Sequence, residues 1–287
     1  MRSIAVLLAI VGLGAGLVAC SSEPQQANPA LWRVEDGRGH VGWLFGTIHS
    51  AERPLAWRTA KVGSALDEAG SIMVEVGNLA NEAEVAATFE SLARSENEPP
   101  LSERVPPKDR AALATLLKKS GRGDDDFAAM DTWAAALTLA RAGADEGDTR
   151  NGVDRAVIAA AGQRPVVELE GAAAQLGLFD ALPEREQRDL LAAVVAEAAY
   201  PERDLSASWR KGDMNAIEAE TRSGLLADPE LRAVLFTGRN RRWTGRIARA
   251  VRSGSKPFVA VGAAHMAGPE GLPAMLTAEG FTVTRVE

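Results

Sequence analysis

The 287-residue chain carries 32 Lys and Arg against 39 Asp and Glu, a formal net charge of −7, and an acidic balance of this kind argues against nucleic acid as a partner. Hydrophobic residues at 46% and charged residues at 25% are the proportions of a chain that buries a core, which excludes disorder beyond Asn28. Cys20 is the single cysteine, so no internal disulfide is possible.

At the N-terminus Arg2 precedes an uninterrupted apolar and glycine stretch over residues 4–19. About 16 such residues fall short of the roughly 20 that cross a bilayer, and the profile is that of a signal peptide over 1–19. Leu17-Val18-Ala19-Cys20 matches the lipobox of bacterial lipoproteins, so Cys20 is the expected lipidation site and a lipid membrane the expected partner. Residues 20–29 read as a polar tether, and Ser21 in place of an aspartate points to the outer membrane, facing the periplasm in a host with two membranes. One domain over 30–287 follows.

Two strands flank the turn Glu35-Asp36-Gly37-Arg38-Gly39 within 31–45, and the second runs into Gly46-Thr47-Ile48-His49. A helix is predicted over 60–69, stopped by Gly70, then a buried strand over 72–76 that Glu75 interrupts. Helical patterns cover 82–94, 107–119 and 127–142, and a further helix over 153–161 ends at Gly162 before the strand 165–169. Helices return from 172 to 251, broken by Pro183, Pro201 and Pro229; the chain closes with strand 257–261, Gly262-Ala263-Ala264-His265, helix 272–278 and strand 281–286. The fold class is therefore α/β: a mixed sheet from N- and C-terminal strands, with a large helical region over about 80–255.

His49, Glu75, Glu168, Glu170 and His265 all follow or close strands, and the carboxyl edge of an open α/β sheet is where ligands bind. Two of only three histidines occupy matched Gly-x-x-His turns, where glycine lets the backbone turn sharply. The third, His40, reads as a surface residue. Glu75, between Val74 and Val76, is costly to bury unless a metal or a nearby arginine meets it. Two imidazoles and a carboxylate suit Zn, Mn or Co and a metal-activated water, although no HExxH pair or cysteine cluster is present. A nucleophile elbow and a P-loop are both lacking. Arg239-Asn240-Arg241-Arg242-Trp243 is either a solvated helix face or, through Arg239 and Asn240, a site for an oxyanion or carboxylate.

Taken in order, Gly46-Thr47-Ile48-His49, Val74-Glu75-Val76, Gly152-Val153-Asp154, Val167-Glu168-Leu169-Glu170 with Gln175, Trp209-Arg210-Lys211-Gly212-Asp213, Arg239-Asn240-Arg241-Arg242-Trp243 and Val261-Gly262-Ala263-Ala264-His265 resemble the TraB/GumN family, related to the Tiki proteins. The resemblance implies a fold similar to erythromycin esterase-like and haem-binding ChaN-like proteins. It also implies a divalent metal (Mn, Co or Zn) on His49, Glu75 and His265, with Glu170, Arg239 and Asn240 as further pocket residues. Two positions depart from the expected pattern: Ala264 stands where glycine is expected, and Gly171 where threonine is. The function expected is a membrane-anchored, metal-dependent hydrolase acting on peptides, with Glu75, Glu170, Arg239 and Asn240 in the catalytic pocket. The alternative is a non-catalytic envelope lipoprotein that captures haem or a peptide.

Overall fold

The computed structural model describes residues 23–77, 82–143, 149–199 and 205–287. The signal segment 1–19, the lipidation site Cys20, and Ser21 and Ser22 of the tether lie outside the described residues. Among the described residues no helix is long and apolar enough to cross a membrane.

Among the described residues eight strands occur: β1 Gln25–Gln26, β2 Leu31–Glu35, β3 Val41–Thr47, β4 Leu55–Ala56, β5 Ser71–Val74, β6 Val166–Glu168, β7 Pro257–Gly262 and β8 Thr282–Arg285. Six of them form one sheet in the order β6-β5-β7-β3-β2-β8. The first four of these are mutually parallel, and β2 runs antiparallel to both β3 and β8, so the sheet is mixed, as the long helical crossovers predict. The β2–β3 hairpin is closed by Asp36, whose carboxylate accepts from the Arg38 and His40 backbones while Gly39 takes φ 84°. His40 is part-exposed and pairs with Asp36 at 2.9 Å.

β1 pairs in parallel with β4, and the Asn28 N–H donates to the Arg210 carbonyl. The chain therefore joins the folded body at Gln25, ahead of the boundary expected at residue 30.

The helices are α1 Ala60–Glu68, α2 Glu82–Leu92, α3 Arg110–Ser120, α4 Thr132–Gly143, α5 Val153–Ala159, α6 Ala172–Asp180, α7 Glu184–Ala198, α8 Leu205–Arg210, α9 Met214–Glu220, α10 Pro229–Arg232, α11 Gly238–Arg252 and α12 Leu272–Ala278. Alternation along the strands sends side chains to two faces. Phe45, Ile72, Val74, Phe258 and Ala260 meet Val62 and Leu66 of α1 and Val153 and Val157 of α5. Leu44, Met73, Val259 and Val261 meet Trp243, Ile247 and Val251 of α11 and Leu272 and Leu276 of α12. With both faces covered, β5 and β7 read as continuous apolar runs.

A third core belongs to the helices: Leu113, Leu116, Trp133, Leu139, Leu190, Val194 and Phe236 pack together and reach the sheet edge at Val76 and Ala264. The stretch 80–255 is thus not one helical unit, because α5 and α11 return to the sheet while α3, α4 and α7 stay in the separate core.

Within that core Arg104 is buried and donates to three backbone carbonyls, Pro99 through Nε and Met130 and Phe127 through the terminal nitrogens, each at 2.8 Å. Phe127 ends a short 3-10 turn, Asp124–Phe127, and the Arg104 contacts hold residues 128–131 outside a helix, so α4 starts at Thr132 rather than at Phe127. Replacing Arg104 by Met removes the arginine donor from the Pro99 and Met130 carbonyls and leaves Phe127 with only the Met130 N–H, and we expect a loss of about 3 kcal/mol, read as a lower Tm and denaturation midpoint.

Candidate functional site

Registers place the functional side chains together. Val74 pairs with Ala260 and Thr47 with Gly262, so Glu75, His265 and His49 leave three neighbouring parallel strands, β5, β7 and β3, at the same carboxyl edge. The two Gly-x-x-His segments do not use their glycines for a sharp turn, since neither Gly46 nor Gly262 has a positive φ. Gly46 is needed for close approach instead: a Cβ there would stand 2.9 Å from the Ala263 Cα. The Gly262 N–H is itself a site group, donating to Glu75 Oε1 at 2.7 Å. Trp209 clamps the first segment by donating from Nε1 to the Gly46 carbonyl at 2.7 Å.

The cation that Glu75 requires is Arg239. Its Nη2 donates to Glu75 Oε2 at 2.6 Å, its Nε to Glu170 Oε2 at 2.9 Å, and its Nη1 to the Leu235 carbonyl and His265 Nε2, both at 3.4 Å. Only 1% of the arginine is exposed, and its guanidinium lies 4.5 Å from the Trp243 ring centre. Gln175 Nε2 adds a donor to Glu75 Oε2 at 3.3 Å, and Arg242 reaches the second oxygen of Glu170 at 3.3 Å. Burial alone pushes the Glu75 carboxyl up, but Arg239, then His265 and His49, then the Gly262 N–H outweigh it and hold the group down at about 2.

A π-helical turn, Ala233–Thr237, carries Arg239 and Asn240 into this position. The Gly238 N–H donates to the Ala233 carbonyl across that wider turn, and a Cβ at Gly238 would meet the same oxygen at 2.6 Å. Arg241 and Arg242 are exposed, as a solvated helix face requires, whereas Arg239, Asn240 and Trp243 are buried and face the protein's own groups.

Hydrogen bonding assigns the tautomers. Asn240 Nδ2 donates to the Glu270 carbonyl at 2.7 Å, which turns Asn240 Oδ1 toward His265 Nδ1 at 2.6 Å. His265 therefore carries its proton on Nδ1 and its lone pair on Nε2. It is fully buried between Phe236 and Trp243, with ring centres at 5.4 and 4.6 Å. Burial, and next the Arg239 charge, push its pKa down to about 3. Because both ends of the Asn240 amide are engaged, Asn240 orients His265 rather than a substrate.

His49 repeats the arrangement with a different acceptor, Nδ1 donating to Asp154 Oδ2 at 2.6 Å with both side chains about nine-tenths buried. The Val153 N–H donates to the Ile48 carbonyl, docking the start of α5 on the His49 segment. Gly152 lies so close that a Cβ would meet the His49 carbonyl at 2.5 Å and Asp154 Oδ1 at 2.6 Å. Asp154 is the site residue that sequence reading passes over as a site residue. Its signal was present in Gly152-Val153-Asp154 ahead of a helix, yet nothing local ties that triplet to a histidine 105 positions away.

For a divalent ion, each histidine holds an Nδ1 proton against an outer acceptor, as metal-ligating histidines do, but His265 Nε2 faces the Arg239 guanidinium at 3.4 Å. Glu75 does not fit in this arrangement: its oxygens accept from Arg239 and Gly262, and the guanidinium separates it from His265 Nε2. Among the described residues no three His, Cys, Asp or Glu side chains are grouped to hold an ion. Glu168 stands apart, exposed, accepting from the Gly77 N–H.

Two outcomes follow from these contacts. Arg239→Met leaves Glu75 buried without its cation and Glu170 with Arg242 alone, and we expect about 3–5 kcal/mol of destabilisation in chemical denaturation. In acid, the unfolded chain protonates His265 near its ordinary 6.5 while the folded chain does so only near 3, so stability falls as pH drops below about 6.5. Glu75, depressed from 4.5 to about 2, steepens the loss below 4.5. A His265→Gln variant should show a shallower Tm decline than the parent between about pH 6.5 and 4.5, measured by calorimetry.

The profile of the TraB/PrgY/gumN family matches residues 30–285. The uncharacterized protein YbaP of Escherichia coli strain K12 is 27% identical over 259 residues, covering 86% of this chain and 92% of YbaP, and YbaP of Shigella flexneri matches to the same extent. No solved structure matches. With the matched region spanning all six strands of the main sheet and every residue of the buried cluster, the chain belongs to the TraB/PrgY/gumN family.

Proposed function

We propose that the chain is a hydrolase of acyl substrates, peptides first among them, in which His49 is the general base and Asp154 positions it. The observation that carries the reading is the 2.6 Å His49–Asp154 pair at the carboxyl edge of the sheet, beside the Glu75–Arg239–His265 cluster. With its Nδ1 proton held by Asp154, His49 takes a proton from water. The resulting hydroxide adds to the substrate carbonyl, and the imidazolium, stabilised by Asp154, returns that proton to the leaving amine or alcohol. Arg239 is neutralised by Glu75 and Glu170 and fixes the wall of the site beside His265. Glu75 and Glu170 hold Arg239 in place, which makes them positioning residues. The peptide preference rests on the family resemblance alone.

A metal-assisted variant of this reading is favoured by one observation, the matched Nδ1–H tautomers of His49 and His265. An ion there would polarise water or carbonyl. The lipobox motif ending at Cys20 places the pocket at the membrane of the cell envelope in this reading.

The test uses the mature chain from residue 20 with a peptide library and chromogenic esters. Asp154→Asn should lower kcat by about 10²–10⁴ with little change in KM, and His49→Ala should remove turnover. Equal rates for parent and His49→Ala would overturn the assignment. Turnover abolished by chelation and restored by Mn or Co selects the metal-assisted form. Absence of turnover in the parent, with peptide or haem retained, replaces hydrolysis by capture.

A further inference from the structure

Every charged side chain on the solvent face of α11 is an arginine. Arg241, Arg242, Arg246, Arg249 and Arg252 are exposed, whereas Arg239, Asn240, Trp243, Ile247 and Val251 are buried. The row extends about 17 Å along a helix that its packed face holds rigidly. No acidic residue occurs in the sequence between Glu230 and Glu270, although the whole chain has a net charge of −7. Flanking acids are few: Glu170 pairs with Arg242 at 3.3 Å and Glu279 with Arg252 at 3.7 Å, while Arg246 donates to the Leu169 carbonyl. Among the described residues no ion pair engages Arg241 or Arg249.

Covalent geometry keeps the domain close to a lipid on Cys20. Gln25 is fixed to the body by its pairing with β4, so a lipid on Cys20 lies five peptide links away, at most about 18 Å in extended chain. Just after the chain enters the fold, Ala30 and Trp32 pack in the core that the buried side of α11 closes, and Ala27, Leu31 and Leu55 in the core on the other face of the sheet. A domain held so near a bilayer feels the surface potential of anionic lipids, which attracts clustered Lys and Arg within a Debye length.

We infer that the arginine face of α11 docks on the anionic phospholipid headgroups of the membrane that carries Cys20, which rests on the membrane placement proposed above. Arg242 joins this face to the pocket through Glu170, whose other oxygen holds Arg239, so a docked domain presents its site next to the membrane surface.

The experiment uses the mature chain from residue 20 with Cys20→Ser, so that binding does not depend on acylation. Co-sedimentation with phosphatidylcholine vesicles containing phosphatidylglycerol should show binding that is absent with pure phosphatidylcholine and released by high salt. The Arg241→Glu/Arg249→Glu variant should bind at least about tenfold more weakly at unchanged Tm, and Arg241→Lys/Arg249→Lys should retain binding. Undiminished binding by the glutamate variant, or equal binding to neutral vesicles, overturns the inference. Retention on a soluble acidic polysaccharide without vesicle binding overturns it too and assigns the face to a glycan. Fatty-acid labelling of the full chain tests the anchor separately: no label on Cys20 with intact vesicle binding removes the anchor and leaves the docking face.

Discussion

Arg239 enters the interior as a permanent charge, and the arrangement of the carboxyl edge follows from satisfying it. A guanidinium that is 1% exposed needs anionic acceptors with fixed geometry, which Glu75 and Glu170 supply from the ends of two neighbouring strands. Meeting them requires α11 to begin with a wide turn, hence the π-helical Ala233–Thr237 and the glycine after it. The same guanidinium keeps His265 neutral, because a second positive charge 3.4 Å away in a dry site is unfavourable. One buried cation thus ties β5, β6, β7 and α11 into a single rigid assembly.

The two histidines share a tautomer and differ in surroundings. Asn240 and two aromatic rings enclose His265, and its titration is pushed far below neutrality, so it suits a fixed acceptor. His49 has a carboxylate partner, Asp154, the kind of group that stabilises a protonated imidazole. That difference in acceptor, an amide for one and a carboxylate for the other, is the reason the proposed reaction gives proton transfer to His49.

Elements with a strong local signal are legible in the residues. The β2–β3 hairpin is written in Asp36 and Gly39, the helix 272–278 in its apolar spacing after Gly271, and the buried strands in their unbroken apolar runs. Glu75, alone among apolar neighbours, announces its own need for a cation without naming Arg239, since the guanidinium is 164 positions distant. Elements whose ends are set by distant groups are misjudged by local reading: α4 starts late because Arg104 captures the preceding carbonyls, and β5 stops at Val74 because the Glu75 carbonyl accepts from both Glu170 and Gly171.

By itself, then, the sequence determined the α/β class, the strand-end positions of His49, Glu75, Glu170 and His265, and an acidic chain with one basic helix, because periodicity, glycine placement and charge are local quantities. The tertiary structure decided that the counter-cation is an arginine, that Asp154 and Asn240 set the histidine tautomers, and that the Gly46 glycine serves close packing. These depend on contacts across many residues, whose geometry exists only once the parallel strands have fixed which ends are neighbours.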